Sequence, residues 1–129
     1  MHLELSGTVA TDSGTRYVDC GSIRIESERF ATKQEAEAVL AQFPKYLRGA
    51  VETIYCYQGP TTYQVRWEFM FLKNRATGGK NETSAARFRK LQAAAEKAGF
   101  ELRFRCRFAQ NCIRDMAEAL ALVEFHSAT

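Results

Sequence analysis

Hydrophobic positions along the chain recur with two periods, and the switches between them mark out the elements. Residues 2–10, HLELSGTVA, alternate apolar and polar side chains and predict a strand; TDSG (11–14) is a turn signal; TRYVDCGSIRIES (15–27) predicts one or two further strand pieces, with Gly21 as a bend. Together they suggest an N-terminal hairpin. TKQE (32–35) has the form of a capping box. Behind it Ala36, Val39, Leu40, Phe43 and Leu47 follow a helical stripe, which Pro44 should end near Phe43 or kink into one more turn reaching Gly49.

VETIYCYQG (51–59) predicts a strand with Tyr55 and Tyr57 on one face, and Gly59-Pro60 a turn. YQVRWEFMFLK (63–73) is the strongest strand signal: Val65, Trp67, Phe69 and Phe71 line one face, and Gln64, Arg66 and Glu68 the other. A glycine-containing loop (74–83) leads to a helix with Phe88, Leu91, Ala95 and Ala98 as its stripe and Gly99 as its stop. ELRFRCRF (101–108) alternates again, with Arg103, Arg105 and Arg107 on one face. A last helix is expected over 111–125, carrying Ile113, Met116, Ala117, Leu120 and Val123.

After the hairpin the order is β-α-β-β-α-β plus a helix. That is the split βαβ pattern of an α+β, ferredoxin-like sandwich with an added N-terminal hairpin strand and a C-terminal helix. At 129 residues the chain fits a single domain, residues 1–129. No apolar run approaches the ~18 residues of a membrane span, and the first residues do not read as a signal peptide. A cytoplasmic protein is therefore expected, with Cys20, Cys56, Cys106 and Cys112 as reduced thiols.

Charge sharpens the picture. Residues 1–64 hold 6 Lys/Arg against 8 Asp/Glu, and residues 65–129 hold 12 against 7, so the second half is basic. In a ferredoxin-like sheet one face lies under helices and the other is open. The open face would present Arg24, Glu26, Tyr55, Tyr57, Arg66, Glu68, Arg103, Arg105 and Arg107. Rings that stack bases, beside guanidinium groups that hold phosphates, suit single-stranded nucleic acid. Over residues 22–109 this plan resembles an RNA recognition motif. The family's signature K/R-G-F/Y-G/A-F-V-x-F/Y is absent from the third strand, which reads YQVRWEFMF, so membership is not implied.

Candidate binding residues are accordingly Arg103, Arg105, Arg107, Arg66, Tyr55 and Tyr57. Lys73, Arg75 and Lys80, around the TGGKNET loop (77–83), are candidate phosphate contacts, with Arg87, Arg89 and Lys90 nearby. That loop lacks the P-loop spacing G-x-x-x-x-G-K-[ST], and an ordinary helix cap explains it without a ligand. Glutamates facing the arginines would also explain the open face as a solvated, salt-bridged surface.

The only histidines, His2 and His126, lie near the ends, and no catalytic or metal-binding motif occurs. No catalytic residue, cofactor or metal is expected. The leading expectation is a non-enzymatic binding module for nucleic acid or a nucleoprotein complex. The alternative is a protein-interaction module: an inhibitor or adaptor that occludes a partner's surface, or a homodimer joined through the sheet.

Overall fold

The computed structural model describes residues 1–8, 21–71, 82–105 and 112–127. Within them the strands are β1 (His2–Thr8), β2 (Gly21–Ser27), β3 (Ala50–Ile54), β4 (Thr62–Phe71) and β5 (Glu101–Phe104). The helices are α1 (Lys33–Leu40), α2 (Glu82–Ala98) and α3 (Met116–Ser127), and a 3-10 turn spans Lys45–Leu47. The class is α+β with a mixed five-stranded sheet. No helix of the described residues is long and apolar enough to cross a membrane.

The alternation seen in the sequence becomes two sheet faces. Leu3 and Leu5, Ile23 and Ile25, and Val65, Trp67, Phe69 and Phe71 are all buried on one side. They meet Ala36, Val39 and Phe43 from the α1 region, and Phe88, Leu91 and Ala95 of α2. Each fully buried large apolar side chain contributes about 1.5–3 kcal/mol. Phe43 stacks at a tilt on Trp67, with centroids 4.7 Å apart, and Phe88 meets Phe69 edge-on at 5.6 Å. Gly49 is required where the chain passes Trp67, because a Cβ there would lie 2.3 Å from the indole nitrogen.

The strand order is β3-β4-β2-β1-β5, which departs from the ferredoxin-like expectation. There, the last strand would lie beside the first strand of the β-α-β-β-α-β unit, here β2. Instead β1 is inserted between them. It pairs antiparallel with β2 (Leu5 opposite Ile25) and parallel with β5 (Leu5 opposite Phe104). The N-terminal strand is therefore central rather than an appendage. The first crossover is as expected, since β2 and β3 flank β4 and both run antiparallel to it.

Two local differences have identifiable causes. The strand expected over 51–59 stops at Ile54, and Gln58 (φ 60°) with the Gly59 N–H bonded to the Cys56 carbonyl turns the chain. The last helix begins at Met116, not 111, because the Asp115 carboxylate accepts the Glu118 N–H (2.9 Å) while Glu118 accepts the Arg114 N–H (2.8 Å). Ala119, Leu122 and Val123 are consequently its buried positions, and Ala117 is exposed. Cys112 is disulfide-bonded, contrary to the reduced state expected, whereas Cys56 is free and exposed. Disulfides persist in oxidising surroundings, so thiol chemistry gives no argument for a cytoplasmic location. Cys20, Cys106 and the 11–14 turn lie outside the described residues.

Ser27 closes the β2–β4 ladder. Pairing runs Glu26 with Arg66, then resumes one residue out of step at Phe30 with Tyr63. At the slip the buried Ser27 hydroxyl accepts the Val65 N–H (2.8 Å) and donates to the Glu28 carbonyl (2.8 Å), and the Ser27 carbonyl accepts from the Gln64 amide (2.8 Å). Ser27→Ala strands the buried Val65 N–H. It should lower unfolding free energy by about 1–3 kcal/mol, read as a lower urea midpoint at unchanged m-value.

Candidate binding face

All three helices lie on the apolar side. Gly21 faces Leu122 of α3 there: a Cβ on Gly21 would lie 2.7 Å from a Leu122 methyl. Among the described residues the opposite face is uncovered, and the last helix does not shield it. His2, Glu4, Arg24, Glu26, Glu52, Arg66, Glu68, Glu101 and Arg103 occupy its alternate positions, continued by Glu28 and Arg105 beyond the strand ends.

Cross-strand register decides what these charges do. Arg24 lies opposite Glu68 and bonds it at 3.0 Å, with Glu26 at 3.5 Å. Arg66 pairs with Glu52 across the β3–β4 ladder and with Glu68 at 3.6 Å. Arg103 bonds Glu101 on its own strand at 3.1 Å. Arg105 reaches Glu4 at 3.8 Å and Glu26 at 4.0 Å. Glu4 and Glu26 are direct partners across β1–β2, so Arg105 also separates two like charges. At the end of the sheet Glu28 accepts both the His2 backbone N–H (3.1 Å) and its Nδ1 (2.8 Å).

Four arginines (24, 66, 103, 105) thus share the face with six glutamates (4, 26, 28, 52, 68, 101), and each arginine has a carboxylate within 4.0 Å. The face is a mosaic of both signs, not a positive field. Two shallow hollows of about 310 and 410 Å³ share Glu26 and Arg105 at its centre. Among the described residues, no three His, Cys, Asp or Glu side chains gather as a metal site.

Tyr55 and Tyr57 are not on this face. They stand on the β3–β4 connection, 81% and 94% exposed, beside the free edge of β3. Arg103 and Arg105 belong to the opposite edge, four strand spacings away, or roughly 19 Å. The tyrosines and the β5 arginines therefore do not form one site. Arg107, Lys73, Arg75 and Lys80 lie outside the described residues.

Sequence reasoning missed Glu4, Glu52 and Glu101 as partners, because their register depends on which strands adjoin. It named Arg87 and Lys90 only as neighbours of the 77–83 loop and missed Arg48, which joins them on the helical side. Arg48 follows the 3-10 turn; Arg87 of α2 donates from Nη2 to the Leu47 carbonyl (2.8 Å); Lys90 of α2 lies 5.1 Å from the Tyr46 ring centroid. Burial, and secondarily the Arg48 cation, pull the Arg87 guanidinium below its ordinary pKa.

The chain matches no protein-family model, no curated protein and no solved structure.

The Arg24–Glu68 pair is about half exposed, so it should contribute little. A double-mutant cycle on Arg24→Ala and Glu68→Ala should give a coupling of about 0.5 kcal/mol at low salt, shrinking toward zero as salt rises. The readout is chemical denaturation of the four proteins.

Proposed function

We propose that the chain is a non-enzymatic binding module whose partner is a protein, engaged through the β3–β4 hairpin and the open sheet face. The observation that carries this reading is the state of the charges: every described arginine of the face already has a glutamate, and glutamates outnumber arginines. Such a surface offers no excess positive charge to a phosphate backbone. It does offer a fixed pattern of both signs, which selects a complementary protein surface and disfavours others.

The tyrosine pair supports the same reading. Tyr55 and Tyr57 are nearly fully exposed, and tyrosine is a frequent anchor at protein interfaces. Among the described residues no strand pairs with the outer edge of β3 next to them, the kind of edge to which a partner's strand can add. A homodimer through the sheet is one form such a contact can take. Nucleic-acid binding through Arg66, Arg103 and Arg105 would require each to exchange its glutamate for a phosphate.

Affinity capture from the native host, followed by nuclease treatment, tests the proposal. The captured protein should survive nuclease and fall at least tenfold, about 1.4 kcal/mol, with the Tyr55→Ser/Tyr57→Ser variant at unchanged thermal stability. Capture abolished by nuclease and indifferent to the tyrosines would contradict it.

A further inference from the structure

The helical side of the molecule carries a cluster of cations that no described carboxylate neutralises. Arg48 ends the 3-10 turn in the left-handed region (φ 59°, ψ 37°). Residues with a Cβ enter that region at a cost, while glycine sits there freely. The chain nevertheless places an arginine at 48 and a glycine at 49. Arg87 is held by the Leu47 carbonyl and lies over the Phe69 ring, 5.0 Å from its centroid. Its Nε is buried and finds no acceptor. Lys90, one turn along α2, sits against the ring of Tyr46, a residue 53% exposed.

Among the described residues none of Arg48, Arg87 and Lys90 has a carboxylate within salt-bridge distance, whereas all four arginines of the sheet face do. The described carboxylates therefore neutralise one set of cations and not the other, in which Arg87 bonds the carbonyl of Leu47, the residue before Arg48, at 2.8 Å. Like charges gathered without a counter-ion oppose folding, and an anion bound among them removes that repulsion. The fixed guanidinium plane of Arg87 suits phosphate recognition. Tyr46 adds an exposed ring at the rim, where an unpaired base can stack.

We infer that the junction of the 3-10 turn with α2 is a binding surface for single-stranded nucleic acid, Arg48, Arg87 and Lys90 taking phosphates and Tyr46 stacking a base. It lies on the opposite side of the sheet from the glutamate–arginine face, and its residues are distinct from the hairpin tyrosines. It does not depend on the protein-partner reading, and either can fail alone.

Fluorescence anisotropy with a labelled mixed-sequence oligonucleotide of about 20 nucleotides tests it, at salt from about 50 to 200 mM. Wild type should bind at micromolar protein and weaken steeply with salt. Arg48→Gly/Lys90→Ala should lower affinity at least tenfold and reduce the log–log salt slope by about one to one and a half. Arg48→Gly also relieves the backbone, so this variant should keep its thermal midpoint; Lys90→Glu alone, which leaves Arg48 and the half-buried Arg87 in place, is the independent check and should also weaken binding. Tyr46→Ser should weaken oligonucleotide binding and leave the salt slope unchanged. Arg103→Ala/Arg105→Ala should change affinity by less than about twofold. The inference is overturned by no binding at low salt, or by equal losses in the two arginine variants. Binding of a polyglutamate peptide as tight as that of the oligonucleotide, with Tyr46→Ser without effect, would overturn it in favour of an acidic protein.

Discussion

The pairing of β1 on both sides, with β2 and with β5, is the constraint on which the rest of the arrangement depends. It buries Leu3 and Leu5 in the middle of the sheet. It also brings Glu4 beside Glu26 and within reach of Arg105. Without β1 in that place, β5 would adjoin β2 and its arginines would face a different set of carboxylates. One insertion thus fixes the strand order, the separation of the β5 arginines from the hairpin tyrosines, and the charge balance of the open face.

The two faces of the sheet follow opposite rules. Under the helices, apolar burial decides: Ser27 is satisfied locally, while the buried Trp67 Nε1 and Arg87 Nε find no partner among the described residues. On the open face, water and cross-strand partners screen every charge, so each ion pair is weak but the pattern is fixed by register. Around the 3-10 turn a third condition holds: among the described residues Arg87 is held by a carbonyl and a ring but not by a carboxylate. That contrast within a single chain directs attention away from the most arginine-rich strand and toward a turn that the periodicity barely marks.

Much of this was legible in the sequence. Alternation located the strands, and the period-3.6 stripe with Gly99 located α2, because those signals are local. Of the two glutamates suspected opposite the arginines of 101–108, Glu26 lies 4.0 Å from Arg105, whereas Glu68 pairs with Arg24 and Arg66 instead. The place of β1 was not legible: its contacts with β5 join residues about a hundred positions apart, and nothing local encodes them. Tyr55 and Tyr57 were assigned to the face by extending the alternation past Ile54, where the turn at Gln58 breaks it. The start of α3 was legible in principle, since Asp115-Met-Ala-Glu118 carries a capping pattern. Arg48 was not, because an arginine in the left-handed region has no sequence signature.

Cross-strand nuclear Overhauser effects in isotopically labelled protein test the central placement of β1 most directly. The account predicts contacts from Leu3 and Leu5 to both Ile25 and the Leu102–Phe104 segment, with none between the backbones of β2 and β5. Backbone contacts joining Ile25 directly to Phe104, with β1 at the margin of the sheet, would contradict it.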